Sequence, residues 1–160
     1  MFKVYDDYMT PKEVWENIDH LIPKNKIIWE SFYGDGKSGE NLKKLGHHVI
    51  HENKDFFNWT PDDYDIIISN PPFSKKKEVY THLKKLNKPF IMISPASMIC
   101  YKYFRELFTN DKELKIIIPK KRIQFLKYMD GKTIKTNKCN FDCFYYCYKI
   151  DLPQQINYLI

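Results

Sequence analysis

The chain has 160 residues, 43% of them apolar and 16% aromatic, with a formal net charge of +6. That size suits a single packed domain, and no apolar run approaches the ~20 residues that cross a bilayer, so a membrane-spanning helix is not expected. The basic balance favours an anionic partner, and the many flat rings offer faces on which bases stack.

Met1-Phe2-Lys3-Val4-Tyr5-Asp6-Asp7 lacks the apolar core of a signal peptide, so an intracellular protein, cytoplasmic or nuclear, is expected. Thr10-Pro11-Lys12-Glu13 predicts a helix start, with threonine as N-cap, proline in the first turn and glutamate as capping-box partner. Val14, Trp15, Ile18 and Leu21 give its apolar stripe, which ends before Pro23. Lys26-Ile27-Ile28-Trp29 reads as the first strand. Glu30-Ser31-Phe32-Tyr33-Gly34-Asp35-Gly36 then turns through glycines that let the backbone approach a ligand closely. A second helix is predicted over 39–45, and His48-Val49-Ile50 is the second strand. Strand, glycine loop, helix and a strand followed by an acidic residue together suit an adenosine cofactor, because Glu52 can accept from two ribose hydroxyls. His47, His48 and His51 read as surface or sheet-end residues.

Asp65-Ile66-Ile67-Ile68-Ser69 reads as a buried central strand, and Asn70-Pro71-Pro72-Phe73 stops it at the end where such sheets bind ligands. The prolines stiffen the turn and remove N–H donors, leaving backbone carbonyls beside the Asn70 side-chain oxygen. Such an acceptor cluster suits an amino group. Phe73 adds a flat apolar face, and an amino group on a flat ring describes adenine.

Ser74 is the expected cap of a helix over 75–86, with Val79, Tyr80 and Leu83 packed inward. Phe90-Ile91-Met92-Ile93 and Leu114-Lys115-Ile116-Ile117-Ile118 are strands flanking a helix over 97–108. The last part reads as a hairpin of Arg122-Ile123-Gln124-Phe125 against residues 141–148. Its tip around Asp130-Gly131 is basic, with Lys120, Lys121, Arg122, Lys127, Lys132, Lys135 and Lys138 in or beside it. Cys139, Cys143 and Cys147 would share one strand face as reduced core thiols, and no spacing predicts a metal site. Residues 153–160 predict nothing definite. Alternating strands and helices predict an α/β fold, a mostly parallel sheet with helices on both faces, finished by an antiparallel hairpin strand.

From Tyr8 to about Tyr148 the chain resembles the S-adenosylmethionine-dependent amino methyltransferases that carry an (Asp/Asn/Ser)-Pro-Pro-(Tyr/Phe/Trp) motif. It is most similar to short phage and viral DNA adenine-N6 methyltransferases. The resemblance implies a Rossmann-like class I methyltransferase over 1–160, with no separate target-recognition domain. It also implies S-adenosylmethionine as cofactor and methyl transfer to the N6 amine of a flipped adenine. Asn70, Pro71, Pro72 and Phe73 would be the catalytic motif, with Asn70 also beside the cofactor. Tyr8, Met9 and Thr10 would close over the methionine carboxylate, a role compatible with Thr10 capping. Glu30 would meet the methionine ammonium, Asp55 the adenine amine, and Phe56 would cover the adenine ring. The family usually has Asp-Pro where Glu30-Ser31 stand, ahead of Phe32, Gly34 and Gly36.

Ser74, Lys75, Lys76 and Lys77, with Lys121 and Arg122, are the expected contacts to phosphates. DNA is placed before RNA as partner. Without a recognition domain, specificity would be short or lent by a homodimer or partner subunit. An RNA adenosine methyltransferase, a glutamine-amide methyltransferase and a non-catalytic half of a heterodimer are the alternatives.

Overall fold

The computed structural model describes residues 6–135 and 139–160; Lys138 and the first five residues, which entered the readings of the basic tip and the leader, lie outside them. Its elements, in chain order, are β1 (Tyr8–Met9), α1 (Lys12–Glu16), β2 (Ile27–Trp29), α2 (Lys37–Lys44), β3 (His48–Ile50), β4 (Ile66–Ser69) and α3 (Lys76–Leu86). There follow β5 (Phe90–Pro95), α4 (Lys102–Phe108), β6 (Leu114–Ile118), β7 (Leu126–Met129), β8 (Lys132–Lys135), β9 (Cys143–Tyr148) and β10 (Ile156–Tyr158).

Seven strands form one sheet in the order β10-β6-β9-β5-β4-β2-β3, parallel except for β9, and β1, β7 and β8 form a small antiparallel sheet. Strand periodicity sorts the side chains into two cores. Ile66, Ile68, Ile91, Ile93, Cys143, Tyr145 and Cys147 pack with Val14, Trp15 and Leu42 of α1 and α2. Ile67, Phe90, Met92, Tyr146 and Tyr148 pack with Val79, Tyr80, Leu83, Phe104 and Phe108 of α3 and α4. Burying an Ile or Phe stabilises by about 1.5–3 kcal/mol, so strands apolar on both faces anchor the fold. The expected α/β architecture, helices on both faces and an antiparallel strand near the end, is what the chain forms.

Local expectations fail where tertiary contacts intervene. The residue capping α1 is the extended Pro11, not Thr10, and no side chain caps it. Gly36, at φ +84°, lets α2 start at Lys37, earlier than predicted. Ser74 does not cap α3; its N–H donates to Asp6 Oδ1 at 2.9 Å and its hydroxyl to Asp6 Oδ2. The helix expected over 97–108 is a 3-10 turn (Ala96–Cys100) and α4, separated by the extended Tyr101. Residues 122–125 are not the hairpin partner of β9, because β5 and β6 already take both its edges. Three cysteines are buried as expected, while Cys100 is exposed. No helix among the described residues is long and apolar enough to cross a membrane.

Candidate active site

β2 pairs with β3 on one side and β4 on the other, so the chain leaves the sheet centre in opposite directions and opens a crevice at the carboxyl ends. The crevice has a volume of about 510 Å³. That lies within the range of pockets for small ligands. Its walls are the N-terminal strand, the loop after β2, residues 53–57 and the Asn70 motif.

Glu30, the first residue past β2, is fully buried. Its carboxylate accepts from the Phe32 N–H at 3.0 Å, the Ser38 hydroxyl at 2.5 Å and the Ser69 hydroxyl. Trp15 Nε1 donates to Ser38 Oγ at 3.0 Å, extending the chain of bonds into the core. Burial pushes the Glu30 carboxyl up to about 7, against the opposite pull of these three donors. The group therefore ties β2, the start of α2 and the end of β4 together. It also lines the crevice, where a ligand's ammonium was expected to meet it, although its side chain has no surface open to solvent.

Asn70, the first residue past β4, is bonded on one side only. Its Nδ2 donates to the Tyr8 carbonyl at 3.3 Å, while its Oδ1 is buried without a partner among the described residues. An unmatched buried acceptor costs about 1–3 kcal/mol, and in a crevice wall it is a place for a ligand's donor. Ser31 Oγ is a second such atom. Both fit a cofactor and an amino substrate meeting in this crevice.

The rest of the expected site divides. Tyr8, Met9, Thr10, Ser31, Phe32, Gly34, Asp55, Phe56, Pro71, Pro72 and Phe73 line the crevice. At Gly34, φ +59°, a Cβ would sit 3.0 Å from Met9 Sδ, so the close approach of loop and strand needs glycine there. Gly36 shapes the turn without lining it. Asp55 Oδ1 accepts from the Phe57 N–H at 2.9 Å and Oδ2 from Asn58 Nδ2 at 2.8 Å, which fixes the loop. Phe56 is buried with its ring centre 4.8 Å from that of Phe32, so Phe57 is the more open ring of the pair. Glu52 is exposed and outside the lining, which begins at Asn53. His51, the residue before Glu52, stacks its ring on Tyr33 at 4.7 Å and packs on Gly39. Phe73 is 6% exposed, its ring 5.9 Å from Tyr8 and 5.7 Å from Phe141, so it frames the crevice as part of an aromatic cluster.

Of the expected phosphate contacts, only Lys75 lines the crevice, its Nζ 5.7 Å from the Phe57 ring centre. Lys76 Nζ donates to the Phe73 carbonyl at 2.7 Å, and Lys77 is exposed on α3. Lys121 and Arg122 lie outside, in an adjoining groove, where Arg122 is held by both oxygens of Asp142 at 2.9 and 3.0 Å. Tyr33, Ser38, Lys54 and Phe57 line the crevice without having been expected there. Ser69, bonded to Glu30, had a legible signal: it is the one polar residue closing an all-isoleucine strand.

The family model for the adenine-specific methyltransferase EcoRI matches residues 21–138. No curated protein matches the chain. Among solved structures, a dimethyladenosine transferase from Plasmodium falciparum is similar at TM-score 0.52 and 11% identity, over 90% of this chain and 63% of that one. An RNA methyltransferase, so described provisionally, from Pyrococcus horikoshii reaches 0.52 at 16% identity, covering 93% and 91%. A modification subunit of a type I restriction enzyme, also provisional, from Vibrio vulnificus reaches 0.54 at 9%, covering 90% and 45%. The chain thus spans less than two-thirds of two of these three, and at such identities the likeness shows the shared Rossmann-like methyltransferase fold.

Proposed function

The chain belongs to the EcoRI family of adenine-specific methyltransferases, which use S-adenosylmethionine, and from that premise we propose that it methylates the exocyclic N6 amine of adenine in DNA. The observation that carries this reading is the buried Asn70 Oδ1 in the crevice wall, which has no partner among the described residues. Ser31, Phe32, Gly34, Asp55 and Phe57 are the residues that would hold the cofactor. When bound, it supplies a methyl group activated by a sulfonium.

The amine nitrogen of adenine is a poor nucleophile because its lone pair is delocalised into the ring. Asn70 Oδ1 and the Pro71 carbonyl accept its two hydrogens, so the nitrogen pyramidalises and aims its lone pair at the methyl carbon. The bound cofactor would supply the methyl carbon for the new nitrogen–carbon bond, with the electron pair of the carbon–sulfur bond left on sulfur, and the surplus proton would leave to solvent beside Asn70. Alignment for in-line attack supplies much of the remaining rate. Adenine in a duplex must be flipped out at a cost of a few kcal/mol, part of which stacking against Tyr8 and Phe73 in the crevice wall offsets.

Transfer of labelled methyl to single-stranded DNA, duplex DNA and RNA, with digestion to nucleosides, tests the reading. N6-methyldeoxyadenosine is the expected product. N6-methyladenosine from RNA alone would move the substrate, and no product despite cofactor binding would overturn the proposed reaction.

A further inference from the structure

Behind the crevice lies a larger groove, of about 1110 Å³, walled by the starts of α1 and α2, residues 119–126, Lys135 and the end of the chain from 157. Thr10 and Asp35 belong to the walls of both, so the groove adjoins the crevice across these two residues. Six cations line the groove, Lys12, Lys37, Lys120, Lys121, Arg122 and Lys135, against the acidic Glu13 and Asp35. Asp35 is occupied in any case, accepting from the Thr133 hydroxyl at 2.7 Å and the Lys37 N–H at 3.1 Å.

Lys12 and Lys37 are the first residues of α1 and α2, where the positive helix end disfavours a cation. Lys37, Lys120, Lys121 and Lys135 are exposed and have no ion-pair partner among the described residues. Between the cations the walls are apolar: Ile123, Leu126 and Leu159 line the groove, with Tyr158 72% exposed at its edge. A face built for duplex backbone needs charge alone, whereas a channel for unpaired strand combines cations with surfaces that receive bases.

We infer that this groove binds single-stranded nucleic acid, the strand that continues from the adenine presented in the crevice. The inference rests on the proposed nucleic-acid substrate. In it, Lys37, Lys120, Lys121 and Lys135 hold successive phosphates, and Tyr158 stacks on a base.

The test is fluorescence anisotropy of a labelled oligothymidylate of about 15 nucleotides, within the usual range of single-strand sites. The variant combines Lys37→Ala, Lys121→Ala and Lys135→Ala; a control of equal charge loss on other faces combines Lys44→Ala, Lys85→Ala and Lys112→Ala. The groove variant should bind about 10-fold or more weakly at low salt, with a salt slope flatter by about 2 for three lost phosphate contacts. The control should stay near wild type. Equal weakening of both variants, or wild-type affinity of the groove variant, would overturn the inference. Tighter binding of duplex through the same lysines would also overturn the single-strand assignment. Because oligothymidylate carries no adenine, this result is independent of methyl transfer: a binding groove on a chain that methylates nothing would sink the proposed reaction and leave the groove standing.

Discussion

Glu30 and Asn70 occupy matching places, each the first residue past a parallel strand, with β2 and β4 side by side in the sheet centre. Their chemistry is opposite. Glu30 is fully buried and saturated by protein donors from three segments, while Asn70 keeps one buried oxygen with no partner among the described residues. The difference separates holding from reacting: a group whose bonds are all internal fixes the frame, and a group left unmatched within that frame is where a ligand's donor goes.

Removing the saturated group should damage the fold first. Glu30→Ala strands the donors of Phe32, Ser38 and Ser69, at about 3 kcal/mol in total, and should lower Tm on the order of 10 °C by calorimetry. A Tm unchanged from wild type would erase the contrast. Glu30→Gln sharpens it through pH. The carboxyl ionises near 4.5 in the unfolded chain and near 7 when folded, so the folded state binds the proton more tightly. Stability from this group is full below about 4.5 and falls as pH rises through about 7. The Tm of wild type relative to Glu30→Gln should therefore drop on the order of 10 °C across that window, and a flat difference would contradict the buried environment.

Gly39→Ala probes the frame from another side. A Cβ there would lie 2.1 Å from His51 Nδ1, and the displaced strand end should cost about 1–3 kcal/mol in chemical denaturation. The smallest effect belongs to Asp142→Ala. Its pair with Arg122 is exposed, so Tm should not move measurably.

The parallel strands, the helix faces and the Asn70 motif were legible because they rest on local rules: apolar period, proline stops and glycine turns. What escaped was set by partners distant in sequence. Ser74 looked like a cap for its own helix but is claimed by Asp6, and the 122–125 segment has no strand role because β5 and β6 occupy both edges of β9. β10 carries too little apolar pattern to announce itself, yet pairs with β6 at the sheet edge. At the site, the acidic residue after β3 was readable as a ribose ligand by position alone; in the structure Glu52 is exposed beside Asn53, where the crevice lining of that loop begins.

The most direct test of the account is single-turnover methyl transfer by Asn70→Ala, with cofactor affinity and Tm measured on the same preparation. The account predicts a fall in rate of about 10²–10³-fold, the loss typical of one oriented partner in the transition state, with cofactor binding and Tm close to wild type. Transfer at the wild-type rate would contradict the assignment of Asn70 Oδ1 as the acceptor that prepares the amine.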